Sequence, residues 1–159
     1  MHSKTIHNIS NRFSKLISTM AYIGYFPFIS GTIGSLIGTL TFYVLSTTTS
    51  IIYVCLIVMT TAIGLYASTA YEKLVNKKDP HEIIIDEYIG MLFSYIFLPF
   101  SFRLLIIGFA LFRFFDIIKP YPIRKFEKLP GGIGIISDDI VAAIYTNIIL
   151  RILLAIGII

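Results

Sequence analysis

From Leu16 to Tyr71 the chain carries no charged side chain. A soluble domain cannot keep so long a stretch from water, because ordinary globular chains are about one-quarter charged. The remainder agrees: 14% of the residues are charged, 56% are hydrophobic, and the mean hydropathy is +0.84. The chain therefore reads as an integral membrane protein. Its 159 residues suffice for one domain, spanning 1–159, with residues 1–20 as a polar N-terminal tail. The basic start (Lys4, Arg12, Lys15) resembles a signal peptide only superficially, since the apolar run goes far beyond the usual h-region, and it is read as mature sequence. The lone Cys55 lies in an apolar run and is expected to act as a small buried hydrophobe.

A membrane helix needs about 20 apolar residues. The first candidate runs from Tyr22 to Leu45, interrupted by Pro27 and by Gly31-Thr32-Ile33-Gly34-Ser35, and the second from Ile51 to Tyr71. A third, Ile83 to Pro99, and a fourth, Leu104 to Ile118, are short for full spans and fit either a tightly turned pair or a hairpin within one leaflet. A proline- and glycine-rich connector, Lys119 to Ser137, leads to the last segment, Asp138 to Ile159. The expected fold is all-α, a polytopic bundle of four to five membrane helices.

Lysine and arginine orient such a bundle. Lys4, Arg12 and Lys15 precede the first segment; Lys73, Lys77 and Lys78 follow the second; Lys119, Arg124, Lys125 and Lys128 follow the fourth; the opposite loops hold only Arg103. The N-terminus is thus expected in the cytoplasm and the C-terminus outside. The net charge of +4 is accounted for by this topology and needs no nucleic-acid partner. Arg151 falls deep in the last segment, where it either snorkels or pairs inside the bundle.

The acids are the exception to this apolar pattern. Asp86-Glu87, Asp116 and Asp138-Asp139 lie in or beside apolar segments. A carboxylate near the bilayer core is costly, so it usually faces protein or a wet cavity. On the expected topology all five reach the cytoplasmic face. Helix-dipole compensation explains one acid in a first turn, but not Glu82, Asp86 and Glu87 together. Ser137 or Asp138 could cap the last helix, which leaves Asp139 over. Arg113, Asp116 and Lys119 recur every three residues and form one helical stripe; it reads equally as an intramembrane ion pair or, with Arg124, as a cationic wall for a phosphate. On spacing alone, Gly34 to Gly38 reads as a helix-packing pattern. Clustered carboxylates with no cysteine or histidine set suit Mg²⁺ rather than zinc. Carboxylates, Mg²⁺ and basic groups at one membrane face point to phosphate chemistry on a lipid headgroup.

Four ordered blocks carry a family resemblance. They are Gly31-Thr32-Ile33-Gly34-Ser35; Ile85-Asp86-Glu87-Tyr88-Ile89-Gly90-Met91; Phe112-Arg113 through Asp116-Ile117-Ile118-Lys119-Pro120-Tyr121-Pro122-Ile123-Arg124; and Gly131-Gly132-Ile133-Gly134-Ile135 leading to Asp138-Asp139. Across Gly24 to Leu150 the chain resembles the phosphatidylglycerophosphatase A family, departing from its pattern at Ser30 and Ile136. The resemblance implies a multi-pass enzyme of the bacterial cell inner membrane, with its active site facing the cytoplasm. Such an enzyme hydrolyses phosphatidylglycerophosphate in the inner leaflet to phosphatidylglycerol and phosphate, with Mg²⁺. It further implies a catalytic and metal-binding set of Asp86, Glu87, Asp138 and Asp139, supported by Glu82 and Asp116. Lys119, Arg124, Arg113, Thr32 and Ser35 would line the phosphate.

Two other readings compete. A CDP-alcohol phosphotransferase would need an Asp-Gly-x-x-Ala-Arg opening, which is absent. A non-enzymatic proton or cation pathway would distribute acids across the bilayer, whereas the outer halves of the first three segments are uncharged.

The topology is testable with cysteines placed singly at Lys77, Lys125 and Thr48 in a Cys55→Ser background. In sealed vesicles Lys77 and Lys125 should be labelled from the cytoplasmic side and Thr48 from the other. Labelling of Lys77 and Lys125 on opposite faces would rule out a shared site.

Overall fold

The computed structural model describes residues 2–159, with side chains from Ser10 onward, and among these every regular element is a helix. The order is α1 (His2–Ser18), α2 (Ser30–Leu45), α3 (Ser50–Val75), α4 (Ile85–Ser94), α5 (Phe102–Ile118), α6 (Ile123–Phe126) and α7 (Gly131–Ala155), with a 3₁₀ turn at Ile23–Tyr25 between α1 and α2. The expected all-α class holds. Two helices, α3 with 26 residues and α7 with 25, are long and apolar enough to cross a bilayer.

The shortest of the large helices sits at the centre. α4 packs against α2, α3, α5 and α7, and Ile84, Ile89, Met91, Leu92 and Tyr95 are fully buried. Glycines on α2 permit the close approach. A Cβ on Gly38 would stand 2.6 Å from Met91 Cβ and 2.8 Å from the Tyr88 carbonyl oxygen. The Gly34–Gly38 spacing is thus a packing surface, as the small-residue pattern suggests.

The third apolar segment is only half helical. Ten residues of α4 span about 15 Å, after which 95–101 leave the helix and reach the far end of α2, where Phe100 and Phe102 pack on Tyr43. The carbonyls freed at this break are taken up by side chains. The Tyr53 hydroxyl donates to the Leu92 carbonyl at 2.9 Å, and Asn147 Nδ2 donates to Ser94 at 2.9 Å and Ile96 at 3.1 Å. Arg151 donates from Nη2 to Ile96 at 3.0 Å and from Nε to Asn147 Oδ1 at 2.7 Å. Arg151 thus lies on the exposed side of α7 yet is held by hydrogen bonds, and its partners are backbone and amide oxygens.

Four local features differ from expectation. The polar N-terminal segment is a helix: Ser14 and Ser18 are fully buried one turn apart, and Ser18 Oγ donates to the Ser14 carbonyl at 2.6 Å, so small polar residues form a packing face. Gly31–Ser35 does not interrupt α2 but begins it, the break falling before Ser30. Likewise Gly131–Gly134 opens α7, because a Cβ at Gly132 or Gly134 would collide with the Leu65 or Leu129 carbonyl. Pro130 therefore holds the N-cap position, and Asp138 and Asp139 lie in the third turn rather than at a cap. Finally, Cys55 is exposed on α3 rather than buried.

Gly38→Val should lower thermal stability in detergent by about 1–3 kcal/mol, the usual cost of overpacking. Leu40→Ala, on the exposed side of the same helix, is expected to change little.

Candidate active site

One end of the bundle collects the polar residues. It is built from the first turn of α4, the third turn of α7, the last turn of α5 and the first turns of α2. Asp86, Glu87 and Asp139 each bring a carboxylate oxygen within 4.8 Å of the other two. Adjacent positions on α4 diverge by about 100°, yet α7 enters between them because position 90 is glycine. A Cβ on Gly90 would press on the Phe112 ring at 2.6 Å and approach Asp139 Cβ at 3.2 Å.

Two cations flank these acids. Lys119, just past α5, donates from Nζ to Asp138 Oδ2 at 2.7 Å, with Glu127 Oε1 at 3.6 Å. Burial alone would push the Lys119 ammonium toward neutrality. Its hydrogen bond to Asp138 and the charges of Asp138, Glu127 and Asp139 outweigh burial and hold its pKa above the ordinary lysine value. Arg113 donates from Nη1 to Asp116 Oδ2 at 2.6 Å and to Ser35 Oγ at 3.3 Å. Gly31 lies against both Glu87 and Arg113, where a side chain would strike the Glu87 carboxylate. The α2 motif therefore serves two ends: Gly34 and Gly38 pack, while Gly31 and Ser35 border the acids.

Other expected residues stand apart. Thr32 is exposed on α2. Arg124 is exposed and donates to the Ile118 carbonyl at 3.3 Å, where it caps α5. Glu82 lies beside His81 at 3.7 Å, outside the three-carboxylate group. Glu127, in the connector after α5, is a second partner of Lys119. Asp79, in the α3–α4 loop, adds its charge to the field on Asp86 and Asp138, a role that the sequence reading missed. Gly90 was also missed as a spacing device, although it falls within the α4 block.

The arrangement is chemically incomplete. Asp86 Oδ1, Glu87 Oε2, Asp138 Oδ1 and Asp139 Oδ2 are buried oxygens with no hydrogen-bond partner among the described residues. Two full charges at such separations repel by about 3–4 kcal/mol at an effective dielectric of ~20. Lys119 and Arg113 pair with Asp138 and Asp116, so Asp86, Glu87 and Asp139 keep room for a further cation. An all-oxygen donor set of this kind fits a hard divalent ion.

An all-helical protein of membrane type, with a carboxylate centre between a lysine and an arginine, is the class that fold and site define. The profile of the phosphatidylglycerophosphatase A family matches residues 16–154, and the chain belongs to that family. It is 38% identical over 122 residues to the Phosphatidylglycerophosphatase A of Haemophilus influenzae, covering 75% of each chain. To the Escherichia coli protein of that name it is 34% identical over 123 residues, covering 76% of this chain and 72% of the relative. A Bacteroides thetaiotaomicron protein, provisionally named a phosphatidylinositol-3-phosphatase, is 33% identical over 145 residues, 86% of this chain and 91% of its own. No solved structure matches significantly.

Removing Lys119 strands the Asp138 carboxylate. Lys119→Met should cost about 1–3 kcal/mol in thermal unfolding, and adding Asp138→Asn should recover most of that loss. A double variant no more stable than Lys119→Met would show that the loss does not come from a stranded Asp138 carboxylate.

Proposed function

We propose that this protein hydrolyses the terminal phosphomonoester of phosphatidylglycerophosphate, releasing inorganic phosphate and phosphatidylglycerol at the cytoplasmic face of the bacterial inner membrane. The observation that carries this reading is the group of buried, unpartnered carboxylate oxygens on Asp86, Glu87 and Asp139, set between Lys119 and Arg113. Family membership supplies the substrate. α3 and α7 would span the bilayer, α2 and α5 would cross it with slight thinning, and α4 with 95–101 would make the remaining crossing.

Asp86, Glu87 and Asp139 would hold Mg²⁺, while Asp138 is the carboxylate that pairs with Lys119. When bound, Mg²⁺ supplies positive charge for a phosphoryl oxygen and lowers the pKa of a water. Arg113, held by Asp116 and Ser35, presents a fixed guanidinium to the other phosphoryl oxygens, and Lys119 does the same from the α5 end. In hydrolysis the oxygen of water bonds to phosphorus and the bond from phosphorus to the glycerol oxygen breaks. A carboxylate oxygen without a protein partner, Asp138 Oδ1 or Asp139 Oδ2, is suited to take the proton of water. The carboxyl that took this proton then gives it to the leaving glycerol alkoxide, so phosphatidylglycerol leaves as the alcohol and the carboxylate is restored. An aspartyl-phosphate route, with one of these acids as nucleophile, keeps the same residues and adds one step.

The Bacteroides relative favours a second substrate of the same chemistry, a phosphomonoester on an inositol headgroup. Purified protein assayed for phosphate release should prefer phosphatidylglycerophosphate to phosphatidylinositol 3-phosphate and should lose activity in chelator. Glu87→Gln and Asp139→Asn should lower turnover by about 10²–10³-fold, with partial recovery at high Mg²⁺. Near-normal turnover of both variants at low Mg²⁺ would overturn the shared-metal site, and a preference for the inositol lipid would replace the substrate.

A further inference from the structure

The outer face formed by α3 and the start of α7 carries two adjoining concavities that none of the site acids lines. The first, of about 450 Å³, is bordered by Lys73, Lys77, Lys78 and Lys128, with Glu72 as the only acid among its lining residues. Glu72 Oε1 is engaged by the Asp79 backbone N–H at 3.4 Å. Among the described residues no carboxylate forms an ion pair with any of these four lysines. Gathered positive charge of this kind is unfavourable until an anion enters it. The second concavity, of about 500 Å³, is an apolar groove bordered by Leu65, Tyr66, Ala70 and Ile133. Lys73 borders both, and the hydrogen bond from Gly132 N–H to Thr69 Oγ1 at 2.9 Å joins the two helices between them.

A cationic basin at the end of a long apolar helix, continuous with a groove along that helix, matches the shape of a single ligand class. We propose that this face binds an intact anionic glycerophospholipid, with its phosphate in the lysine basin and one acyl chain in the Leu65–Ile133 groove. The lysines select against zwitterionic lipids, in which a headgroup cation would meet Lys73, Lys77 and Lys128. The groove selects against a free phosphate, which would leave it unfilled. None of the centre's carboxylates lines either concavity, although Lys78 and Lys128 also border a neighbouring one with Asp79, Arg124 and Glu127, and lipid binding here does not depend on the phosphatase reading.

The full-length protein, purified in a zwitterionic detergent, tests this by its unfolding temperature during titration with lipid. Dioleoyl phosphatidylglycerol should raise the midpoint saturably, whereas dioleoyl phosphatidylcholine and water-soluble glycerol 1-phosphate should not. Lys73→Gln/Lys77→Gln/Lys128→Gln should weaken the apparent affinity at least tenfold. Ala70→Trp, which fills the groove and leaves the lysines in place, should weaken it comparably, and neither variant should change basal phosphate release. Lys128→Gln alone, a surface substitution, should cost at least twofold. Asp139→Asn should keep the full shift. Equal shifts in wild-type and lysine variants would reduce the effect to general surface charge and overturn the proposal. A full shift with glycerol 1-phosphate would overturn it in favour of a free-anion site, and loss of the shift in Asp139→Asn would place the lipid in the carboxylate centre instead.

Discussion

The break after Ser94 is the constraint on which the rest of this structure depends. In a bilayer an unpaired backbone carbonyl has no water to turn to, so irregular chain survives at depth only when protein satisfies it. Here Tyr53 from α3 and Asn147 and Arg151 from α7 donate to the carbonyls of Leu92, Ser94 and Ile96. That lets a ten-residue helix stop inside the bundle. Because α4 is short and buried on all sides, its first turn can stand among three other helices. Asp86 and Glu87 thereby face protein and one another rather than lipid.

Charge then settles how those helices meet. Five acids from three helices would repel each other strongly at one end of a bundle, and two are quenched by cations from the same region. Asp116 is taken by Arg113, one turn away on α5, and Asp138 by Lys119. The remaining three, Asp86, Glu87 and Asp139, form the compact group. The division follows from reach. Lys119 sits in a left-handed conformation just after α5, which turns its side chain back toward α7 rather than on along the α5 axis. The Arg113 guanidinium is braced by Ser35 as well as Asp116, so it is fixed relative to α2 and not only to its own helix. Glycines at 31 and 90 set the clearances, because any side chain there would intrude on Glu87 or on the α5–α7 contact.

Much of this was legible in the sequence, for reasons that differ between residues. The uncharged stretch and the acids in the apolar segments that follow it are signals of composition, and they pointed to the class and to the acids of the centre, whereas the four ordered blocks were visible only as a family resemblance. The Arg113–Asp116 contact follows from helical spacing, since residues three apart share a face. What could not be read was whatever depends on partners far along the chain. Lys119–Asp138 joins residues 19 apart across a connector, and no periodicity predicts it. The glycine runs misled in a consistent way. Gly31–Ser35 and Gly131–Gly134 look like breaks because glycine disfavours helix interiors, but their helices are held by neighbours whose backbones approach too closely for a Cβ. Propensity is a weak prior where packing demands a missing side chain. Asn147 gave no signal of its own, and Arg151 only that of a charge deep in an apolar segment, because the need they meet is created by α4 ending at Ser94.

The same reasoning explains why the polar centre lies at one end of the bundle and not at its middle. A centre at mid-depth would need its charges neutralised entirely by protein, at the full desolvation cost of each ion. At the end where α3 finishes and α7 begins, the lysine-bearing loops lie close by, and Lys119 and Glu127 extend the charge network from Asp138 toward the surface. A phosphorylated headgroup could enter from this side without crossing the apolar half of the bundle. Its acyl chains would stay in the lipid against the exposed apolar faces of the helices. The opposite end is packed by aromatic contacts among Tyr43, Phe100 and Phe102, and by the Phe42–Tyr95 stack at 4.6 Å. The bundle is therefore polarised along its axis, and its two ends do different work: one packs the irregular half of the third segment, and the other gathers the charges.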